Sequence, residues 1–249
     1  LGESLTLDPE EIEKRVTSRT KALFIHTPNN PTAGVLAKEN LRAVAEVALR
    51  HQIPVITDEC YEKIIFEGAE HVSMASLPGM RDITITISSF SKTFSMTGWR
   101  VGYLAAPAEF IKSFAKIHHT INICANSIAQ WAAYAALTSP KDFWKGWHKV
   151  YETNRKIILD SLAKTEATKL AVRPMGTFYV LIDVKGMGMS SEEATKFFVR
   201  EAKVVLTPGS GFGPYGEGYV RMSFATETEM VRVALERIIS TLERFAGRN

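Results

Sequence analysis

The chain has 249 residues, of which 45% are hydrophobic, and it carries a formal net charge of +3 at neutral pH. This length and apolar content are enough for one large domain or two smaller ones. The mild charge comes without a run of Lys and Arg, which argues against a nucleic-acid partner. No apolar stretch is long enough to cross a membrane, and no signal-peptide pattern opens the chain.

The cysteines Cys60 and Cys124 are too few for a disulfide framework and lack the spacing of metal ligands. We therefore expect a reduced, cytoplasmic protein without a bound metal. The sequence opens at Leu1 rather than at a methionine, in mid-pattern, which indicates a fragment or a processed chain.

The first part of the chain alternates short apolar runs with helical periodicity. The apolar runs predict strands at residues 22–26, 54–57, 83–87 and 101–106. Between the first two runs, residues 38–51 repeat apolar side chains at helical spacing and predict a helix. Strands joined by helices or long crossovers form mainly parallel sheets covered by helices. The predicted fold class is therefore α/β.

The pattern changes in the second part of the chain. Helices are predicted through residues 107–164, the last one beginning near Pro140. Beyond them, strands are predicted at 170–172, 177–182, 204–206 and 218–224, and helices at 191–202 and 227–244. We therefore predict a large domain at residues 1–155 and a smaller C-terminal α+β domain at residues 156–249.

Three polar residues lie just past predicted strand ends, where parallel sheets bind ligands: Asn30, Asp58 and Lys92. Lys92 follows its strand in a Ser-rich loop, eight residues before Arg100. A lysine amine forms Schiff bases with carbonyl compounds such as pyridoxal phosphate, and hydroxyl and guanidinium groups suit a phosphate. On spacing alone, a solvated surface lysine is the more ordinary explanation.

Four motifs follow one another in a characteristic order. They are Pro-Asn-Asn-Pro-Thr at 28–32, Thr-Asp-Glu-Cys-Tyr at 57–61, Ser-Phe-Ser-Lys at 89–92 with Gly-Trp-Arg-Val-Gly at 98–102, and Tyr-Val-Arg-Met-Ser-Phe at 219–224. With this ordered set the chain resembles the C-terminal two thirds of a fold-type I, pyridoxal-phosphate-dependent aminotransferase of class I/II. The resemblance implies a homodimer, and it implies a missing N-terminal third that would supply much of the phosphate cup.

The resemblance assigns pyridoxal 5'-phosphate to three side chains of the first half. Lys92 would form a Schiff base with the aldehyde and later carry a proton between the substrate α-carbon and the cofactor. Asp58 would face the pyridine nitrogen and keep it protonated, so that the ring accepts electrons. Tyr61 would donate a hydrogen bond to the ring oxygen. Taken singly, a capping aspartate and an interfacial tyrosine would explain the last two residues.

Further cofactor contacts follow from the same resemblance. Asn30 would share the ring oxygen through its amide, aimed by a cis Asn30–Pro31 peptide, although Asn-Pro also favours plain turns. Arg100 and the hydroxyl of Ser89 would bind the phosphate. Because apolar residues flank Arg100, we expect its side chain to be shielded rather than exposed.

Arg221 would bind the α-carboxylate of the amino-acid substrate from the small domain. The loop before it, residues 208–216, would either close over the substrate or serve as an ordinary connection. One position departs from the family pattern, since Ala33 precedes Gly34 where the motif more often continues directly with glycine. The backbone there must accommodate an alanine.

The predicted function is an aminotransferase that moves an amino group between an L-amino acid and a 2-oxo acid. The overall resemblance is strongest to the aspartate/aromatic/alanine group. A carbon–sulfur β-lyase would use the same lysine, aspartate and arginine, and it stays open as an alternative. A non-catalytic pyridoxal-phosphate-binding regulatory module, or a fragment that is inactive through truncation, is a further one.

Overall fold

The computed structural model describes residues 7–140 and 142–246, so Leu1 lies outside the described residues. These residues form two units. The first, here called the four-stranded unit, consists of residues 7–28 and 35–144. The second, the three-stranded unit, consists of residues 29–34 and 145–246. The division into domains at residue 155 stays a prediction.

The four-stranded unit is built on a mainly parallel sheet, as the sequence predicts. β1 (Leu23–His26), β2 (Val55–Asp58) and β3 (Thr84–Ser89) are parallel, and β4 (Gly102–Ala105) pairs with β3 in the antiparallel direction. The crossover from β1 to β2 is α2 (Lys38–Arg50). Because β1, β2 and β3 are parallel, their carboxyl ends lie at the same edge of the sheet.

A hydrophobic core holds β1 and β2 against α2. The buried residues of the cluster are Ile25, Leu41, Val44, Ala45, Ala48, Val55, Met74, Leu77 and Met80. Each large apolar side chain that is fully buried contributes about 1.5–3 kcal/mol. Ile12 of α1 (Pro9–Arg15), a helix without a counterpart among the predicted elements, also packs on this cluster. The strand ends are thereby held in a fixed register.

The chain after β3 forms α3 (Phe90–Thr93), a single helical turn where the sequence predicts a loop. Ser89 is its N-cap, and its Oγ accepts a hydrogen bond from the Ser91 amide at 3.0 Å. The ring of Phe90 is buried in a cluster with Met96, Val101, Ala129 and Ala133. The side-chain cap and the buried ring together explain why this Ser-rich stretch is helical.

The last strand of this sheet and the helices after it expose much apolar surface. All four residues of β4 are exposed, and α4 (Ala108–Asn122) and α5 (Ser127–Thr138) follow it. Seven large apolar side chains along these helices and their connection are at least 60% exposed, and we call them the apolar helix face: Ile117, Ile121, Ile123, Ile128, Trp131, Tyr134 and Leu137. None of the described helices is long and apolar enough to cross a membrane.

The three-stranded unit contains a small antiparallel sheet in the order β5-β7-β6. In chain order its elements are α6 (Lys145–Leu162), β5 (Tyr179–Asp183), α7 (Ser191–Glu201), β6 (Thr207–Pro208), β7 (Tyr219–Ser223) and α8 (Thr228–Ala246). The buried Asn154 of α6 donates through Nδ2 to the backbone oxygens of Phe224 and Thr226, at 3.0 and 2.9 Å. These bonds tie α6 to the end of β7.

Two predicted strands of this unit are wrong. Residues 170–172 pair with β5 only through the isolated bridge Leu170–Ile182, because the chain turns away before Pro174, which has no amide hydrogen to extend a ladder. Residues 204–206 do not form a strand. The backbone of Lys203 is left-handed, and the Val204 amide donates to the oxygen of Phe198 in α7 at 3.3 Å, so it does not pair with a neighbouring strand.

The helix predicted from Pro140 begins later, at Lys145. Here the Phe143 amide donates to the Pro140 oxygen at 3.3 Å in a separate turn. The predicted helices at 191–202 and 227–244 are confirmed with small shifts in their bounds.

Candidate functional site

Asp58 occupies the carboxyl end of β2 and is locked into a turn. Its backbone oxygen accepts from the Thr27 amide at 3.2 Å, and its Oδ1 accepts from the Cys60 amide at 3.1 Å. In the parallel register Asp58 lies opposite His26 of β1 and Ile87 of β3. The strand pairing and the turn together fix where the half-buried carboxylate stands.

The next residue, Glu59, supports this turn from the interior. Glu59 is only 4% exposed. Oε1 accepts from the Ser73 hydroxyl and the Met74 amide, each at 3.1 Å, and Oε2 lies 3.1 Å from His71 Nε2. The Asp-Glu pair at a strand end is visible in the sequence, but the contacts of Glu59 with residues 71–74 are tertiary and could not be derived from it.

The structure brings Lys92 and Tyr61 together near the same sheet edge. Tyr61 is 3% exposed, and the Lys92 Nζ atom lies 5.8 Å from the centre of its ring. The ring of His26 is 6.0 Å from that of Tyr61, centre to centre. Lys92 itself is half-buried on α3. An amine, a phenol, a carboxylate and an imidazole therefore share this edge.

Cys60 and His26 lie next to Asp58, and the pKa of each is shifted in the direction that favours its neutral form. One donor atom each from His26, Asp58 and Cys60 lies within 4.8 Å of the others. Burial lowers the pKa of the His26 imidazole, although the Asp58 charge opposes the shift. Burial, followed by the charge of Asp58, raises the pKa of the Cys60 thiol. Sequence spacing did not indicate His26 or Cys60 as site residues.

The two residues predicted to bind a phosphate differ in exposure. Ser89 is half-buried, and its hydroxyl caps α3. Arg100 is exposed, in contrast to the expectation, because it lies in the exposed stretch that leads into β4. Its backbone is left-handed, with φ at 53°, and its Nη1 donates to the Thr97 oxygen at 2.8 Å. The phosphate roles of both residues stay predictions.

Arg221 of β7 is held on several sides within the three-stranded unit. Its guanidinium carbon lies 4.2 Å from the ring centre of Tyr179 and 4.6 Å from that of Phe212. Its Nη1 donates to Asn30 Oδ1 at 2.6 Å, and its Nη2 to Thr207 Oγ1 at 3.3 Å. Stacking between aromatic rings and hydrogen bonds from the guanidinium fix the orientation of its planar fork. The sequence groups Asn30 with Asp58 and Lys92, whereas its side chain here bonds to Arg221.

The segment that carries Asn30 adopts an unusual backbone. The peptide Asn30–Pro31 is cis, as predicted, and Thr27–Pro28 is cis as well. Ala33 is fully buried and left-handed, with φ at 61°, a conformation in which glycine is more common. Its oxygen accepts from the amides of Met175 and Gly176, both at 2.9 Å. These bonds hold the alanine in place.

The loop before β7 is closed on itself by two glycines. A Cβ on Gly209 would lie 2.0 Å from the backbone oxygen of Gly216, so neither end of the loop leaves room for a side chain. The Ser210 amide donates to Ser191 Oγ at 3.2 Å, which ties the loop to the start of α7. This anchored loop presents Phe212 to the guanidinium of Arg221.

The chain belongs to the class I and II aminotransferase family, because the profile described as "Aminotransferase class I and II" matches residues 2–238. Members of this family depend on pyridoxal phosphate. The predicted fold, a mainly parallel sheet with covering helices and a second small sheet, is confirmed by the structures that the chain resembles.

Curated relatives carry aminotransferase names. The chain is 40% identical to "Aromatic-amino-acid aminotransferase 2" of Thermococcus litoralis over 95% of this chain and 61% of that protein. It is 41% identical to "Aspartate aminotransferase" of Pyrococcus abyssi over the same shares of the two chains. The chain thus spans about three fifths of the length of the curated relatives it matches.

Solved structures that the chain resembles are also aminotransferases. An aromatic aminotransferase from Pyrococcus horikoshii OT3 superposes with a TM-score of 0.92 at 38% identity, covering 97% of this chain and 65% of that one. A double mutant of Thermus thermophilus aspartate aminotransferase superposes with a TM-score of 0.89 at 36% identity, covering 96% and 61%.

Proposed function

We propose that the protein is a pyridoxal-phosphate-dependent aminotransferase that moves an amino group between an L-amino acid and a 2-oxo acid. The observation that carries this proposal is the grouping of Asp58, Tyr61 and Lys92 at the carboxyl edge of β2 and β3. Family membership supports the proposal. The names of the relatives favour an acidic or aromatic L-amino acid as substrate.

The side chains present fit the cofactor. Lys92 offers a primary amine for an aldehyde, Asp58 a carboxylate for a pyridine nitrogen, and the buried Tyr61 a phenol for a ring oxygen. His26 and Cys60 beside Asp58 favour their neutral forms, so His26 adds no positive charge that would compete for the carboxylate, and Cys60 adds no negative charge that would compete for the pyridine nitrogen. When bound, the cofactor supplies a ring that accepts the electron pair left by the departing α-proton.

Each of these three residues of the four-stranded unit then has a role in the reaction. Asp58 would hold a positive charge at the pyridine nitrogen, because its position is fixed by strand pairing and by the Cys60 amide. The amine of Lys92 would carry a proton from the substrate α-carbon to the cofactor. The capped turn of α3 keeps that amine in place. Tyr61 would donate its hydroxyl hydrogen from a site that excludes water.

In the three-stranded unit, Arg221 would bind the substrate α-carboxylate. A guanidinium donates two parallel hydrogen bonds to a carboxylate, and these charge-assisted bonds are stronger than neutral ones. Asn30 and Thr207 already fix two of its nitrogens, and the rings of Tyr179 and Phe212 fix its plane. A fork that is oriented before binding loses little freedom when the carboxylate arrives.

Reduction with borohydride tests the central role of Lys92. The chain is incubated with excess pyridoxal phosphate, reduced, digested and analysed by mass spectrometry. We expect one stable adduct, on Lys92, in the wild type and in Lys116→Ala, a control at an exposed lysine of α4. Lys92→Ala should carry none. An adduct of equal yield in correctly folded Lys92→Ala would overturn the proposal.

The β-lyase alternative uses the same lysine, aspartate and arginine, so products must distinguish the two reactions. An aminotransferase consumes a 2-oxo acid and returns the matching amino acid. A β-lyase releases pyruvate and ammonia from a cysteine conjugate without a 2-oxo acid. Release of these products alone would replace our proposal, and cofactor binding without either turnover would favour the regulatory module or an inactive fragment.

We propose further properties for the whole protein. A homodimer is supported by the apolar helix face, since large exposed apolar patches mark contact surfaces. A cytoplasmic location is supported by the two free thiols, Cys60 and Cys124. The proposed domains, 1–155 for the cofactor and 156–249 for the small domain, follow the change of sheet type from mainly parallel to antiparallel.

A further inference from the structure

Three donor atoms of different chemistry meet at the ends of β1 and β2. His26 is the last residue of β1, and its register partner in β2 is Asp58. The turn after Asp58, closed by the bond from the Cys60 amide to Asp58 Oδ1, brings Cys60 back toward that pair. As a result an imidazole nitrogen, a carboxylate oxygen and a thiol sulfur lie within 4.8 Å of one another.

This donor set suits a borderline-soft divalent ion such as Zn²⁺. Zinc takes histidine nitrogen, cysteine sulfur and carboxylate oxygen at about 2.0–2.3 Å. An ion at the centre of the three atoms would require each donor to move inward by roughly 0.8 Å or less to reach those distances. Three protein ligands leave a fourth position for water, the arrangement of open zinc sites.

A second observation concerns the same histidine. His26 Nε2 is buried and has no hydrogen-bond partner among the residues that the structure describes. Buried polar atoms are nearly always satisfied, and an exception indicates that an ion or a water belongs there.

We propose that His26, Asp58 and Cys60 bind one zinc ion when pyridoxal phosphate is absent, and that this ion excludes the cofactor by occupying the Asp58 carboxylate. The thiol proton of Cys60 leaves to solvent as the zinc–sulfur bond forms. The Lys92 charge acts on Cys60 and opposes a nearby cation, so the site is weaker than a structural zinc site. The exclusion rests on the proposed function, whereas the metal binding does not.

Calorimetric titration of the cofactor-free chain with Zn²⁺ tests the site. Cys60→Ser removes the thiolate, and Cys124→Ser is the matched control because Cys124 is the other cysteine and is exposed. We expect one zinc per chain in the wild type and in Cys124→Ser, and at least tenfold weaker binding in Cys60→Ser and in His26→Ala. Equal affinity in all four chains would overturn the proposal.

Cobalt gives a readout that does not depend on altering the site. In Cys124→Ser the single remaining cysteine is Cys60, so a cobalt–thiolate charge-transfer band can arise from that residue alone. We expect this band when Co²⁺ is added to the cofactor-free chain. A chain that binds Co²⁺ without the band, or does not bind it, contradicts the site.

Competition separates the two parts of the inference. A chain whose Lys92 carries borohydride-reduced pyridoxal phosphate, freed of unbound cofactor, should bind zinc at least tenfold more weakly than the cofactor-free chain. Zinc bound through Cys60 with an affinity that the cofactor leaves unchanged would refute the exclusion and place the pyridine ring away from Asp58. A cofactor adduct on Lys92 without any zinc binding would refute the metal site and leave the proposed function intact.

Discussion

At the scale of single residues, Arg221 shows why the type of cation matters. Lysine in its place keeps the charge but loses the planar fork and the stacking between Tyr179 and Phe212. Hydrogen bonds to charged groups contribute about 1.5–3 kcal/mol. We therefore expect Arg221→Lys to weaken binding of an unreactive dicarboxylate such as succinate at least tenfold, measured by calorimetry on the cofactor-loaded protein. Arg237→Lys, at an exposed position of α8, is the control and should bind like the wild type.

Glu59 offers a second residue-level prediction, on stability. In Glu59→Gln the amide oxygen can still accept from Ser73 and Met74, but the amide nitrogen replaces the oxygen that faces His71 Nε2 and cannot accept a hydrogen bond there. Leaving buried partners unsatisfied costs about 1–3 kcal/mol, and we expect this loss in the free energy of unfolding by urea. The exposed Glu67→Gln should change it by less than about 0.5 kcal/mol. Equal free energies of unfolding for the two variants would show that the hydrogen bonds of Glu59 do not stabilise the fold.

At the scale of elements, α7 has a start that depends on charged carboxylates. Ser190 and Glu193 form a capping box, and Glu217 accepts from the Ser191 amide at 2.6 Å and from its hydroxyl at 3.0 Å. These bonds, first of all the backbone bond from Ser191, hold the pKa of Glu217 below the usual 4.5. The pKa of Glu193 is lowered in the same way by Ser190.

The sign of the resulting pH dependence follows from that shift. A carboxylate whose pKa is lower in the folded chain stabilises it fully above the unfolded value, near 4.5, and loses this effect as the pH falls through the folded value. We expect the stability gap between the wild type and Glu217→Gln, from urea unfolding, to shrink as the pH is lowered from 6 to below 4.5. The exposed Glu236→Gln is the control, and its gap should not change with pH. A Glu217→Gln gap that is constant over this range would contradict the assignment.

Elements whose periodicity is reinforced by burial were predictable from the sequence. The predicted strands of the parallel sheet and the helix at 38–51 are confirmed, because alternation and helical spacing report directly which faces are buried. The predicted strand at 204–206 is wrong, because an apolar run does not reveal that the Val204 amide already donates to a backbone oxygen of α7. The helical turn at Lys92 depends on a side-chain cap, which serine also provides in loops.

The site residues come from segments that are distant in sequence. The grouping of Lys92 with Tyr61 was accessible through the motifs, and the pairing of Asn30 with Arg221 was not. Residues 29–34 belong to the three-stranded unit although the residues on both sides belong to the other one. Likewise, His26, Asp58 and Cys60 meet through strand register, which no single segment encodes.

The apolar helix face predicts that the chain associates with itself. Ile121 and Trp131 are 77% and 72% exposed, and a large amount of exposed apolar surface favours association in water. We expect sedimentation velocity of the 249-residue chain to show concentration-dependent dimers or larger species, and the double variant Ile121→Glu, Trp131→Glu to shift them to monomer. The control is Val205→Glu, at an apolar side chain that is 84% exposed in the three-stranded unit. Both variants should keep the wild-type circular dichroism, because exposed side chains contribute little to folding. A wild-type chain that is monomeric at every concentration, or an equal shift caused by Val205→Glu, would rule out this face as the contact surface.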